Sequence, residues 1–275
     1  MSTIGITDHE FARFRHFIYA AAGITLPAAK KALVSGRLAK RLRQYGLGSY
    51  TEYFQLLSSG KAAQEVQTAV DLLTTNETSF FRGPKKHFDL LRQVAITARG
   101  RTQPLRVWCA ASSTGEEAYS IAMVLADCLE GGTWEVVGSD ISKRVLERAR
   151  GGHYILERTK SVPHPYLQRF CLKGTGAQHG TVLVDRALRG RVRFIQVNLN
   201  APLPQLGAFD LIFLRNVMIY FNNDTKRQVL ARVFSLLKPS GYLLIGQAET
   251  LSELTMAVKL VAPSIYRKPW TDAPL

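Results

Sequence analysis

From residue 105 onward, short β-branched or aromatic runs alternate with helix-like segments, and no other feature narrows the fold as much. The expected strands are "LRVWCA" (105–110), "WEVVGSD" (134–140), "VRFIQVNL" (192–199), "FDLIFLRN" (209–216), "GYLLIGQAE" (241–249) and "SIYRKP" (264–269). Helical segments are expected between them at about 116–130, 142–151, 224–237 and 250–257. Apolar strands separated by helices form a parallel sheet covered on both faces, so this region reads as a doubly wound α/β domain. Residues 167–191 break the pattern: "FCLK" and "TVLV" flank a loop holding Gly174, Gly176 and Gly180. That is the mark of a small antiparallel excursion.

Residues 1–75 read as helical instead. In "DHEFARFRHFIYAAA" (8–22) Phe11, Phe14, Ile18 and Ala22 recur at helical spacing, Asp8 is the expected N-cap, and Gly23 ends the segment. Two further helices end at Gly46 and Gly60, and another covers about 62–74. The chain of 275 residues is long enough for one large domain or two small ones. The expected division is a helical domain over 1–75, a linker and first part of the ligand site over 76–104, and the α/β domain over 105–275. The β-subdomain insertion occupies about 167–195 of it.

Three cysteines, widely spaced and without a CxxC pair, argue against a disulfide framework or a zinc site. Free thiols in a reducing cytoplasm are expected. No apolar run reaches the ~18 residues of a membrane span, because Arg215 and Asn216 interrupt the longest one. The N-terminus lacks a basic segment followed by an apolar block, so no secretory signal is expected. The formal charge of +15 calls for an anionic partner: nucleic acid, a membrane surface or an acidic protein.

In an open α/β sheet the ligand lies beyond the carboxyl ends of the strands. A dinucleotide site would carry G-x-G-x-x-G in the turn after the first strand. Here "ASSTGEE" carries one glycine, Gly115, and then Glu116 and Glu117. Carboxylates at a helix start compete with a bound phosphate for the same amides. The turn therefore suits a cationic ligand without phosphate, and S-adenosylmethionine is one. Asp140, ending "VVGSD", stands where a ribose acceptor is expected. Plainer accounts exist: first-turn capping for Glu116 and Glu117, and an N-cap for the following helix for Asp140.

Four stretches, "NETSFFR" (76–82), "ASSTGEEAYSIAM" (111–123), "GSDIS" (138–142) and "FLRNVMIYF" (213–221), resemble the bacterial chemotaxis receptor glutamate methyltransferase family, in the family's order. The helical N-terminal domain and the glycine-loop insertion extend the likeness over nearly the whole chain. The resemblance implies a Rossmann-like S-adenosylmethionine methyltransferase domain behind a small all-helical domain. It implies methyl transfer to glutamate side chains of methyl-accepting chemotaxis receptors, giving a methyl ester and S-adenosylhomocysteine. It places the cofactor contacts on Asn76, Thr78, Arg82, Glu116, Asp140, Asn198, Leu199, Arg215 and Asn216, with Glu117 the alternative to Glu116.

Methyl transfer to a carboxylate is an in-line displacement by a group already anionic at neutral pH, so no general base, catalytic histidine or metal is expected. Positioning should carry the catalysis. Arg82 is the candidate to grip the incoming carboxylate through two hydrogen bonds, and Tyr220 is the second candidate. A surface ion pair and a core aromatic are their plainer readings.

The positive charge concentrates in "PAAKKALVSGRLAKRLRQY" (27–45), which holds Lys30, Lys31, Arg37, Lys40, Arg41 and Arg43 and no acid. It reads as a basic amphipathic helix, either a solvated face or a docking surface. The resemblance implies that it docks on the glutamate-rich coiled coil of a chemoreceptor. In some family members the β-subdomain also captures a peptide at the receptor's C-terminus by strand addition. The alternative, an RNA methyltransferase, would want stacking aromatics and an N-P-P-Y-type or paired-cysteine motif, and "RNVMIY" stands there instead. A non-catalytic cofactor sensor is a third reading. Monomer is the default state.

Overall fold

Thr7, rather than Asp8, starts the first helix in the computed structural model, which describes residues 4–251 and 258–270. Thr7 is extended, and its hydroxyl accepts the Glu10 N–H at 3.2 Å while Glu10 Oε2 accepts the Thr7 N–H at 2.9 Å. This reciprocal capping box leaves Asp8 inside the first turn, where its carboxylate meets Lys31 at 2.7 Å.

Residues 4–75 and 220–226 form one compact unit. Its helices are α1 (Asp8–Ala22), α2 (Lys31–Tyr45), α3 (Tyr50–Ser58) and α4 (Ala63–Leu73). Phe14, Ile18, Val34, Leu38, Tyr50 and Tyr53 are fully buried at its centre. Glu65 lies buried under α2, where Arg41 Nε donates to it at 2.8 Å and Tyr53 Oη at 2.6 Å. Burial works against that charge, but the donors from Arg41, Tyr53 and Tyr45 outweigh it and hold the carboxyl below its ordinary range.

The second unit comprises the described residues of 76–219 and 227–275. Its elements in chain order are α5 (Lys85–Thr97), β1 (Leu105–Cys109), α6 (Glu116–Cys128), β2 (Trp134–Asp140), α7 (Lys143–Gly151), β3 (His153–Ile155), α8 (His164–Phe170), β4 (Cys171–Lys173), β5 (Thr181–Val184), α9 (Arg186–Arg189), β6 (Val192–Gln196), β7 (Phe209–Leu214), α10 (Asn223–Ser235, from residue 227 on), β8 (Leu237–Ile245), β9 (Lys259–Ala262) and β10 (Ile265–Arg267). From residue 252, the helix expected at about 250–257 falls outside the described residues.

The main sheet runs β6-β2-β1-β7-β8-β10-β9. Its first five strands are parallel, as expected. The last two correct that expectation, because β10 is antiparallel to β8 and to β9. Only Pro263 and Ser264 separate β9 from β10, which allows a hairpin and no crossover. The β-subdomain is a three-stranded antiparallel sheet, β3-β5-β4, so β3 joins the two strands that the glycine loop announced. The fold is thus the doubly wound α/β class, with a helical N-terminal domain and a small antiparallel insertion. No described helix is long and apolar enough to cross a membrane.

After β1 the chain builds outward through β2 to β6, then returns to lay β7 on the other side of β1. In open α/β sheets the ligand lies at such a switch, here beyond the carboxyl ends of β1 and β7. Trp108 anchors the layer beneath, fully buried, stacked on Phe209 and donating to Ser139 Oγ at 2.9 Å.

Candidate active site

The turn after β1 is fixed from three sides. Ala110 N donates to Phe213 O of β7 at 2.9 Å, Ser112 N to Ser139 O of β2 at 2.8 Å, and Gly115 N back to Ser112 O at 2.9 Å. Gly115 has φ 96°, and a Cβ there would stand 2.9 Å from Ala149 Cβ of α7. A glycine is required at that point by both backbone and space.

Asp140 ends β2 with only 7% exposure. Its Oδ2 accepts the Ser113 N–H and its Oδ1 the Ser142 N–H, both at 3.0 Å. It therefore joins the β1 turn to Ser142, which is the N-cap of α7, so Asp140 is not itself the cap.

The two first-turn acids part company. Glu116 is fully buried, accepts the Thr114 hydroxyl at 2.6 Å, and is paired with Arg158, whose Nε donates at 2.7 Å. Glu117 pairs with Arg215 and accepts Cys109 Sγ–H at 3.1 Å. Burial, with Glu117 beside it, pushes the Cys109 thiol well above its usual range. Each acid thus has its own arginine, and the turn does not present two bare carboxylates to a ligand. Arg158 comes from the segment after β3, and nothing in its local sequence announces it.

The 76–82 stretch is bound to this turn. Ser113 Oγ donates to Asn76 O at 2.7 Å, Arg158 Nη2 to Thr78 O at 2.9 Å, and Phe81 N to Ser120 Oγ at 2.9 Å. Phe80 is buried edge-on against Tyr154, whose hydroxyl donates to Thr114 O at 2.7 Å. Arg82 is exposed, with Nη1 on Glu77 O at 3.1 Å. Arg215 is buried at the end of β7, and its Nη2 donates to Arg82 O at 2.6 Å. Asn216 follows in the left-handed region at φ 58°. Asn198 and Leu199 lie just past β6, where Val197 N donates to Asp140 O at 3.0 Å and Leu199 O accepts Arg232 Nη1 at 2.9 Å.

Ser112 Oγ, Ser142 Oγ and Arg215 Nε are buried without a protein partner, and they stand at the carboxyl ends of β1, β2 and β7. Buried polar atoms cost free energy unless bonded. Three of them, at the ends of the adjacent strands β2, β1 and β7, suit a polar ligand such as S-adenosylmethionine.

Two groups of expected residues lie in the helical unit. Tyr220 is half-buried, and its carbonyl accepts Thr25 N at 2.8 Å. On α2, Arg41 is engaged with Glu65, and Arg37 Nη1 donates to Leu73 O and Thr74 O at 3.1 and 3.0 Å. Lys30, Lys40 and Arg43 are exposed.

Two family models match the chain: the CheR methyltransferase, all-alpha domain, over residues 9–74, and the CheR methyltransferase, SAM binding domain, over 76–266. A chemotaxis protein methyltransferase of Escherichia coli is 44% identical over 266 residues, 96% of this chain and 92% of the relative. Chemotaxis protein methyltransferase 2 of Pseudomonas aeruginosa is 42% identical, covering 94% of this chain and 93% of the relative. Among solved structures, the glycopeptide N-methyltransferase MtfA complexed with S-adenosyl-L-methionine aligns at 16% identity and a TM-score of 0.36, over 71% of this chain and 69% of that one.

Proposed function

The chain belongs to the CheR methyltransferase family, and from that membership we propose that it methylates glutamate side chains of chemoreceptors. It is an S-adenosylmethionine-dependent methyltransferase, and chemoreceptors are its substrates. The RNA alternative receives no support from these relatives. Among the geometric features, the unpartnered buried polar atoms at the ends of β1, β2 and β7 carry the cofactor assignment.

When bound, S-adenosylmethionine supplies a methyl group on a sulfonium. The remaining work is the protein's. Asp140, buried at the end of β2, would accept the ribose hydroxyls. Ser112, Ser142, Asn76, Thr78, Asn198, Leu199 and Asn216 line the ligand. Arg215 and Glu116 act mainly by holding the loops in place, since both are engaged within the protein. Arg82 reaches solvent and grips the receptor carboxylate. A glutamate with a pKa near ~4.3 needs no base to become the nucleophile. Alignment supplies the rate, which for well-oriented groups is worth ~7–11 kcal/mol of barrier.

The helical domain over 1–75 docks the receptor's glutamate-rich coiled coil through Lys30, Lys31, Lys40 and Arg43. Arg37 and Arg41 contribute field rather than direct contacts, because they already serve internal partners. Residues 76–104 open the cofactor site and 105–275 complete it. The edge of the β-subdomain takes a receptor C-terminal peptide, which raises the effective substrate concentration. The protein acts as a cytoplasmic monomer. Incubation with labelled cofactor and a receptor cytoplasmic domain tests the reading. Alkali-labile methyl label on the receptor is expected; base-stable label, or label in RNA alone, overturns it.

A further inference from the structure

Glu249 lies just past β8, and its carboxylate is turned toward the turn that leaves β7. Oε2 accepts the Asn216 N–H at 3.1 Å and the Gly246 N–H at 2.6 Å, and Oε1 accepts the Ile219 N–H at 3.3 Å. Glu249 N in turn donates to Gly246 O at 3.1 Å, which closes its own segment into a tight turn. Gly246 leaves the room this needs: a Cβ there would stand 2.6 Å from Glu249 Oε2 and 3.1 Å from Asn216 Nδ2.

These bonds act on a turn whose first residue, Asn216, is left-handed at φ 58°, a conformation that asparagine adopts more readily than most residues and that the bonds to Glu249 hold in place. One carboxylate satisfies amides at both ends of the 216–219 turn, as the anion-binding cradles of backbone amides do.

We propose that Glu249 is a positioning residue for methyl transfer. It fixes the 216–219 turn so that the Asn216 side chain faces the cofactor. This rests on the reading of Asn216 as a cofactor contact. The two oxygens are both needed: an amide in place of the carboxylate would set an NH2 donor against a backbone N–H at one end of the turn.

The test is a double-mutant cycle read by calorimetric titration of S-adenosylhomocysteine, with circular dichroism to establish folding. Asn216→Ala and Glu249→Gln are each expected to weaken binding about 10-fold, and the double variant to bind no more weakly than Asn216→Ala. Receptor methylation should show the loss mainly in KM for the cofactor and less in kcat. If Asn216→Ala binds like wild type, Asn216 is not a contact, and both the contact and its positioning fall. If Asn216→Ala weakens binding while Glu249→Gln does not, or if the two losses simply add, Asn216 stands and the role of Glu249 is wrong. Should Glu249→Gln fail to fold, Glu249→Asp takes its place in the cycle. It keeps both oxygens on a shorter stem, and the same non-additivity is expected.

Discussion

Replacing Glu117 by alanine should strip Arg215 of its only carboxylate partner among the described residues. The pair is nearly dry, with side-chain exposures of 12% for Glu117 and 2% for Arg215. The guanidinium would keep its bond to Arg82 O, but its Nε already lacks a protein partner. Removing one member of a buried pair costs ~3–5 kcal/mol, because the survivor is a charge without compensation. Glu117 is slightly open to water, so the lower end of about 3 kcal/mol is expected. At ~2–4 °C per kcal/mol for a chain of this size, the melting temperature should fall by about 6–12 °C. Scanning calorimetry near neutral pH reads this directly. The double variant Glu117→Leu, Arg215→Met should recover most of the loss, since an apolar pair of similar volume often costs nothing. A single variant within ~0.5 kcal/mol of wild type, or a double variant no better than the single, would refute the reasoning.

Two further outcomes follow from the same unit. Burial, helped by Arg215 and Lys86, lowers the His87 pKa from 6.5 to about 3. Between those values the unfolded chain takes up a proton that the folded protein refuses, so stability falls as pH drops from 6.5 toward 3. Denaturant midpoints for His87→Gln should show a shallower slope across that window, and an unchanged slope would contradict the assignment. Gly115→Ala should destabilise the protein by ~1–3 kcal/mol through its positive φ and its 2.9 Å approach to Ala149, and should also weaken cofactor binding. Thermal melts with and without S-adenosylhomocysteine would measure both effects, and a wild-type melt would sink the claim.

Much of the architecture is legible in the residues because its period is strong. α1 and β2 occupy the segments that their spacing announces, since each buries one clear face or run. The three- and four-residue strands β3 and β9 are too short to show alternation. α5 lies within residues 76–104, where His87, Phe88, Leu91 and Ala95 do keep helical spacing but the sequence reading named no element. In the site, Asp140 and the 76–82 stretch stand beside the β1 turn because topology dictates the ends of strands. The partners of Glu116 and Glu117 were not legible. Arg158 is 42 residues from Glu116, and Arg215 is 98 residues from Glu117. Pairings of that kind are decided by packing, which no local pattern encodes. The same is true of Glu249, whose bonds to Asn216 and Ile219 exist only once β7 and β8 lie side by side.

Titration of S-adenosylhomocysteine into the wild-type protein and into Asp140→Ala tests the cofactor assignment most directly. Charge-assisted hydrogen bonds are worth ~1.5–3 kcal/mol each, so one-to-one binding in the wild type and a loss of about 10- to 100-fold in the variant are expected. Equal affinity in the two proteins, or no binding to either, would contradict the account.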